Sequence, residues 1–292
     1  VKTNANTTVE TNADRAAIEL VGVSHVYVNS KGAYPALTGI DLRVGAGEFV
    51  SIIGPSGCGK TTILSLISGL LSPTRGEVKV MGEPVNRPTA QVGYMLQQDY
   101  LFPWRTIEEN VSLGLELLGR KNASSTRYIH VLLEEMGLEG FRHAFPQQLS
   151  GGMRQRAALV RTLAAQPGIL LLDEPFSALD YQTKLQLEDL IVDTLKAKGK
   201  TAVLVTHDIS EAIAMSDRII VLQPRPGRVL AEVEVPEPIR SALPLDAREK
   251  EGFHELFRSL WGMFEQMEKI EKIEKIEKIE MHGEKGGVPD GG

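Results

Sequence analysis

The chain has 292 residues, of which 42% are hydrophobic, 24% charged and 5% aromatic, and its formal net charge is −6. This is enough apolar material for one large core or two small ones, and the acidic balance is unlike the basic face of a nucleic-acid binder, so no nucleic-acid partner is expected. Cys58 is the single cysteine, which excludes an intrachain disulfide and a cysteine-based zinc site and fits a reducing compartment.

Residues 1–17 are polar, rich in Asn and Thr, and lack the apolar core of a signal peptide; they read as a flexible lead. Residues 18–23 and 36–44 have strand character. Residues 48–53 form an apolar run that stops at Gly54, and residues 61–71 carry apolar positions at helical spacing. The order is therefore strand, glycine turn, helix. Residues 77–81 and 92–96 are further strands. Residues 106–118 and 126–136 are helical, within a helical insert spanning about residues 105–155. Strands return at 169–172, 201–205 and 218–222, alternating with helices at 152–165 and 184–196. Such alternation predicts a buried, mainly parallel sheet. No stretch approaches the roughly 18 consecutive apolar residues of a membrane span, so any membrane role must run through a partner.

Residues 236–267 read as a helical extension, with Phe253, Leu256, Phe257, Leu260, Trp261 and Phe264 at helical spacing. Residues 268–280 repeat Glu-Lys-Ile. Their isoleucines step by three and so spiral around a helix instead of forming a stripe. Glu268–Lys272, Glu271–Lys275 and Glu274–Lys278 are favourable i,i+4 pairs on a solvated helix, and the glycine-rich end from 282 is expected to be disordered.

Gly54-Pro55-Ser56-Gly57-Cys58-Gly59-Lys60-Thr61-Thr62 fits the pattern G, four residues, G-K-[ST]. A triphosphate needs many donors pointing one way. Glycines let the backbone curl so that successive N–H groups face inward, and the following helix adds its positive end. Lys60 then serves the β- and γ-phosphates, and the Thr61 hydroxyl ligates Mg²⁺. The same surroundings predict a lowered pKa for the Cys58 thiol, against the alternative of an inert small residue. The apolar run 169–172 ends in Asp173-Glu174-Pro175. Asp173 is placed to hold Mg²⁺ through its water shell, and Glu174 to take a proton from the attacking water. Alone, this would read as a solvated acidic turn; paired with the phosphate loop it reads as a site.

These residues resemble the ATP-binding subunits of ABC transporters over residues 18–235. Leu149-Ser150-Gly151-Gly152-Met153-Arg154-Gln155-Arg156 is similar to the family's signature, with Met153 in place of the commoner glutamine. Ser177-Ala178-Leu179-Asp180 resembles the D-loop, His207 the switch histidine, and Gln97 the Q-loop glutamine, which also serves Mg²⁺. Tyr27 sits where the family carries the adenine-stacking aromatic, with Tyr34 as the second candidate. The resemblance implies an α/β fold: a P-loop NTPase core lobe with a mainly parallel sheet and an antiparallel β subdomain, plus a smaller helical lobe. It implies ATP and Mg²⁺ as cofactors and a head-to-tail homodimer with each ATP between one phosphate loop and the other copy's Ser150, Gly151 and Gly152. Leu101-Phe102-Pro103-Trp104-Arg105, Met153 and Arg225-Pro226-Gly227-Arg228 resemble the nitrate/sulfonate/taurine importer group. That resemblance implies a peripheral subunit on the cytoplasmic face of the membrane, working with separate permease subunits and, indirectly, a solute-binding protein. The alternatives are a soluble mechanical ATPase of the same family, acting on nucleic acid or the ribosome, and an exporter subunit.

Overall fold

The structure is a computed structural model that describes residues 16–283. The expected N-terminal lead up to residue 15 and the glycine-rich end from 284 lie outside the described residues, as do the side chains of the expected Glu271–Lys275 and Glu274–Lys278 pairs. Strands β1 (Ala16–Asn29) and β2 (Gly32–Gly45) form an antiparallel hairpin in which Tyr27 faces Tyr34. β3 (Phe49–Ile53) leads through the glycine turn into α1 (Lys60–Ile67). β4 (Arg75–Val80) and β5 (Glu83–Pro84) then extend the hairpin into a four-stranded antiparallel sheet of order β2-β1-β4-β5.

After β6 (Val92–Met95), no strand forms until residue 169. Helices α2 (Ile107–Leu117), α3 (Ala123–Glu135) and α4 (Gly151–Ala164) fill that interval. Thr106 and Asn122 start α2 and α3 with reciprocal capping boxes, which satisfy amides the helices cannot. Strand and helix then alternate through β7 (Ile169–Asp173), α5 (Tyr181–Ala197), β8 (Thr201–Val205), α6 (Ile209–Met215) and β9 (Arg218–Gln223). β10 (Arg228–Glu234), α7 (Glu237–Arg240), α8 (Pro244–Ala247) and α9 (Phe253–Gly283) complete the described chain.

The second sheet has the order β10-β9-β3-β8-β7-β6 and is parallel except for β10. Every residue of β3, β7 and β8 is buried, because both faces of the sheet are covered. Alternation along β7 divides the core. Leu170 and Leu172 join the helices α2 to α5, whereas Ile169 and Leu171 join α1 and the antiparallel sheet. A third cluster packs Ile53, Ile219 and Val221 against α6 and the C-terminal helices.

This is the expected α/β architecture. The differences are local. β1 runs six residues beyond the predicted strand because backbone pairing with β2 sustains an exposed segment. α1 stops at Ile67 instead of residue 71, since Gly69 follows at φ 76, a left-handed conformation favoured by glycine. β10 and α6 were not anticipated; the first is a half-exposed edge strand and the second only seven residues long. Among the described residues no helix is long and apolar enough to cross a membrane.

Candidate active site

The glycine turn between β3 and α1 has the backbone that its sequence requires. Gly57 and Gly59 sit at φ 78 and 95, where a side chain is strained. A Cβ on Gly59 would lie 2.4 Å from Leu37 Cδ2, and one on Gly54 would lie 2.7 Å from Cys58 Sγ and the Leu222 carbonyl. No side chain caps α1. Its first-turn amides and positive end are therefore available to an anion. The Lys60 ammonium donates to the Gly54 and Pro55 carbonyls at 2.7 and 3.1 Å, which folds the loop around it.

Across the turn stand the two carboxylates. Asp173 ends β7 and is buried; its Oδ1 accepts from Thr61 Oγ1 and its Oδ2 from the Tyr94 hydroxyl, each at 3.3 Å. Burial raises the Asp173 carboxyl above the ordinary range, and the two hydroxyl donors oppose that rise. Burial and the neighbouring Asp173 also push the Tyr94 phenol up, so Tyr94 is a donor at neutral pH. Glu174 adopts φ 49, unusual for a residue other than glycine. Its amide donates to the Val205 carbonyl at 2.8 Å and its carbonyl accepts from Ser177 Oγ at 3.1 Å, which fixes this backbone. The side chain is held between two groups. Gln97 Nε2 donates to Oε2 at 2.9 Å, and His207 Nδ1 lies 3.5 Å from Oε1.

Of these residues Lys60, Thr61, Gln97 and Glu174 line one cavity of about 540 Å³, together with Tyr27 and Thr62. Tyr27 and Tyr34 both line it, being opposite each other in the hairpin. Tyr27 is anchored through its hydroxyl, 3.2 Å from Thr62 Oγ1, and packs edge-on against His25 with ring centroids 4.7 Å apart. Ser56, Gly57 and Gly59 line the cavity as well, while Gly54, Pro55 and Cys58 do not and act as its scaffold. Cys58 corrects one expectation. Its thiol is fully buried, and burial raises its pKa despite the opposing charge of Lys60. It packs in the core cluster beneath the turn.

Ser150, Gly151 and Gly152 do not line this cavity. Ser150 caps α4, its hydroxyl accepting from the Met153 amide at 3.3 Å, and Gly152 lies close enough that a Cβ would meet Leu179 Cδ2 at 3.2 Å. Asp180 caps α5, accepting from the Thr183 amide at 3.0 Å. Tyr94 was missed by sequence reasoning. It faces Leu171 across the β6–β7 ladder, and Asp173 lies two residues further on the same face, a diagonal contact that only the register reveals.

The donor set fits MgATP. Among the described residues no group of three or more His, Cys, Asp or Glu could hold a metal ion. Mg²⁺ does not need one, because it retains waters and is held by one or two protein oxygens plus phosphate. Thr61 and Asp173 offer oxygens of that kind, joined by a hydrogen bond and next to Lys60 and the uncapped helix.

Residues 37–177 match the family model described as ABC transporter. The chain is 51% identical over 239 residues to the uncharacterized ABC transporter ATP-binding protein YtlC of Bacillus subtilis (strain 168), covering 82% of this chain and 92% of that one. It is 42% identical over 211 residues to the taurine import ATP-binding protein TauB of Escherichia coli (strain K12), covering 72% and 82%. Among solved structures, the dimeric post-hydrolysis state of the ATP-binding cassette MJ0796 bound to ADP and Pi aligns with a TM-score of 0.68 at 35% identity, covering 75% of this chain and 99% of that chain. With the phosphate turn, Gln97 and Glu174 around one cavity and the similarity extending over most of the chain, this protein belongs to the ABC transporter ATP-binding proteins and is an ATPase that works on ATP with Mg²⁺.

Proposed function

We propose that this chain energises an importer whose membrane-spanning permease is a separate protein, and that the solute is a small anion of the nitrate, sulfonate or taurine kind. The similarity to TauB supports that choice. The observation that carries it is the segment running from the catalytic pocket to the surface. Gln97 bonds Glu174 at one end; at the other Trp104 is 71% exposed. The intervening chain is tightly held. Asn110 bonds the Phe102 amide and the Phe102, Arg105 and Thr106 carbonyls. Arg154 and Arg161, both on the helix that begins at the Ser150 turn, bond the Asp99 carboxylate and the Asp99 and Tyr100 carbonyls. A push on Trp104 is therefore transmitted both to the general base and to the signature helix. The protein would sit peripherally on the cytoplasmic face, with a solute-binding protein serving the permease.

In this reading Lys60 and the loop amides hold the phosphate oxygens, and Thr61 and Asp173 hold Mg²⁺, with Gln97 serving its water shell. The metal supplies neutralisation of charge on the β- and γ-phosphates. Glu174 accepts the proton of the attacking water. Gln97 orients that carboxylate, and His207 stands at its other oxygen to reach the γ-phosphate side. Tyr27 stacks on adenine. Ser150 and Gly151 are exposed and away from their own chain's cavity, which supports their serving the ATP of a second copy in a head-to-tail dimer. Asp180 would lie at that dimer contact. The MJ0796 cassettes, 35% and 36% identical to this chain, are dimeric. The test is Trp104→Ala in a reconstituted transporter. Basal ATPase activity stays within about twofold of wild type, as for a surface substitution, and solute uptake is lost. Unchanged uptake would refute the coupling.

A further inference from the structure

Behind Glu174 and His207 lies a second, smaller cavity of about 170 Å³, bordered by Lys184, Asp208 and Glu211. Lys184, on α5, bonds Asp208 Oδ2 at 2.7 Å and Glu211 Oε2 at 2.8 Å. Asp208 directly follows His207 and caps α6, its Oδ1 accepting from the Ser210 and Glu211 amides at 2.8 and 3.2 Å. The lysine thus pins the residue next to the switch histidine. A third carboxylate competes for it. Glu188, one turn along α5, is completely buried, and its Oε1 is 3.9 Å from Lys184 Nζ without a hydrogen-bond partner. What satisfies Glu188 comes from the C-terminal extension. Arg248, just after α8, donates to Glu188 Oε2 at 2.7 Å and to the Pro244 carbonyl at 2.7 Å. The extension is further tied to α5 by the Leu245 amide, which donates to Asp189 Oδ1 at 2.9 Å.

We propose that Arg248 is a positioning residue for ATP hydrolysis: by holding Glu188, it leaves Lys184 committed to Asp208 and so fixes the loop that carries His207. A buried carboxylate cannot stay ionised alone. Without Arg248, ionised Glu188 draws Lys184 across the short remaining gap and releases Asp208. The groups facing Glu188 are Lys184 from its own helix, Glu211 from α6 and Arg248 from the extension. Burial already lifts the Glu188 carboxyl to about 7 with Arg248 present, so loss of the guanidinium raises it further. The extension thereby acts on catalysis at a distance. This inference rests on the role given to His207 above.

The experiment measures kcat and KM for MgATP in purified full-length variants. Well above neutral pH, where Glu188 of the variant ionises, Arg248→Met lowers kcat about tenfold, the size of a coupling between networked residues, and leaves KM nearly unchanged. The deficit grows as pH rises above neutrality, where Glu188 ionises, and shrinks as pH falls, where protonated Glu188 stops competing. Arg248→Met combined with Glu188→Gln restores kcat, because the competitor is gone. In a His207→Ala background, Arg248→Met has no further effect. Should Arg248→Met fail to fold, Arg248→Lys is read instead; its shorter cation gives a smaller kcat loss that Glu188→Gln again repairs. Wild-type kcat in the Arg248 variant well above neutral pH, or no repair there by Glu188→Gln, overturns the proposal. Unchanged kcat in His207→Ala alone would instead overturn the role of His207.

Discussion

Two helices of this molecule begin at glycine-rich turns, and they begin differently. α1 follows Gly59, held at φ 95, and no side chain caps it. α4 follows Ser150, whose hydroxyl takes the Met153 amide. The amides of α1 are left for an outside acceptor on the wall of the chain's own cavity. α4 satisfies one of its amides internally and turns its small residues to solvent. Close packing separates the two turns as well. A Cβ would collide at Gly59 and meets only Arg154 Nη2, at 3.9 Å, at Gly151. The same sequence ingredient therefore leaves amides open on a cavity wall in one place, as the proposed phosphate site requires. In the other it makes a self-sufficient surface, suited to closing over a ligand held by another copy.

The largest expected effect tests whether the two turns ever meet. Glu174→Gln removes the proton acceptor and lowers turnover about 100-fold or more, while ATP still binds. With hydrolysis stopped, the ATP-bound dimer accumulates in size-exclusion chromatography. A protein that stays monomeric with saturating MgATP would break the proposed division of labour. The next effect separates the turns by substitution. Gly59→Ala meets both a positive φ and a 2.4 Å contact, so stability falls by more than about 1 kcal/mol and binding of a fluorescent ATP analogue is lost. Gly151→Ala leaves the melting temperature and single-chain nucleotide binding unchanged. Equal losses in the two variants would erase the distinction.

A smaller effect belongs to the cap. Ser150→Ala removes the bond to the Met153 amide and costs about 1 kcal/mol in thermal or denaturant unfolding. It leaves nucleotide affinity of the separate chain intact. The smallest effect is at Cys58. Buried, with its pKa raised, the thiol is mostly protonated at neutral pH and is reached by maleimide only on unfolding. Labelling in the folded protein should be slow with or without MgATP, and Cys58→Ser should hydrolyse ATP like wild type. Rapid labelling that MgATP blocks would restore the thiolate reading.

Much of the candidate site was legible because phosphate chemistry constrains adjacent residues. Gly54 to Thr62 is one continuous stretch, and an apolar run ending in Asp173-Glu174 announces a strand end. The Tyr94 contact to Asp173 was not legible, since it depends on the register of β6 against β7. Nor was the Lys184 network. Its members are separated by up to 64 residues and look like ordinary surface charges until α5, α6 and the extension pack together. The Cys58 expectation failed because sequence gives the charges near a thiol but not its solvent. Desolvation outweighs the neighbouring Lys60.

The sequence by itself determined the parts whose physics is local. These were the alternation that makes a parallel sheet, the glycines that make the phosphate turn, and the order of motifs along the chain. The tertiary structure decided everything that depends on which distant groups share a space. It put Gln97 and His207 on the two oxygens of Glu174, kept Ser150 away from its own chain's cavity, and brought Arg248 onto a carboxylate 60 residues upstream. The reason is that hydrogen bonds and ion pairs act over a few ångströms, whereas sequence distance carries no such scale. Only packing converts one into the other.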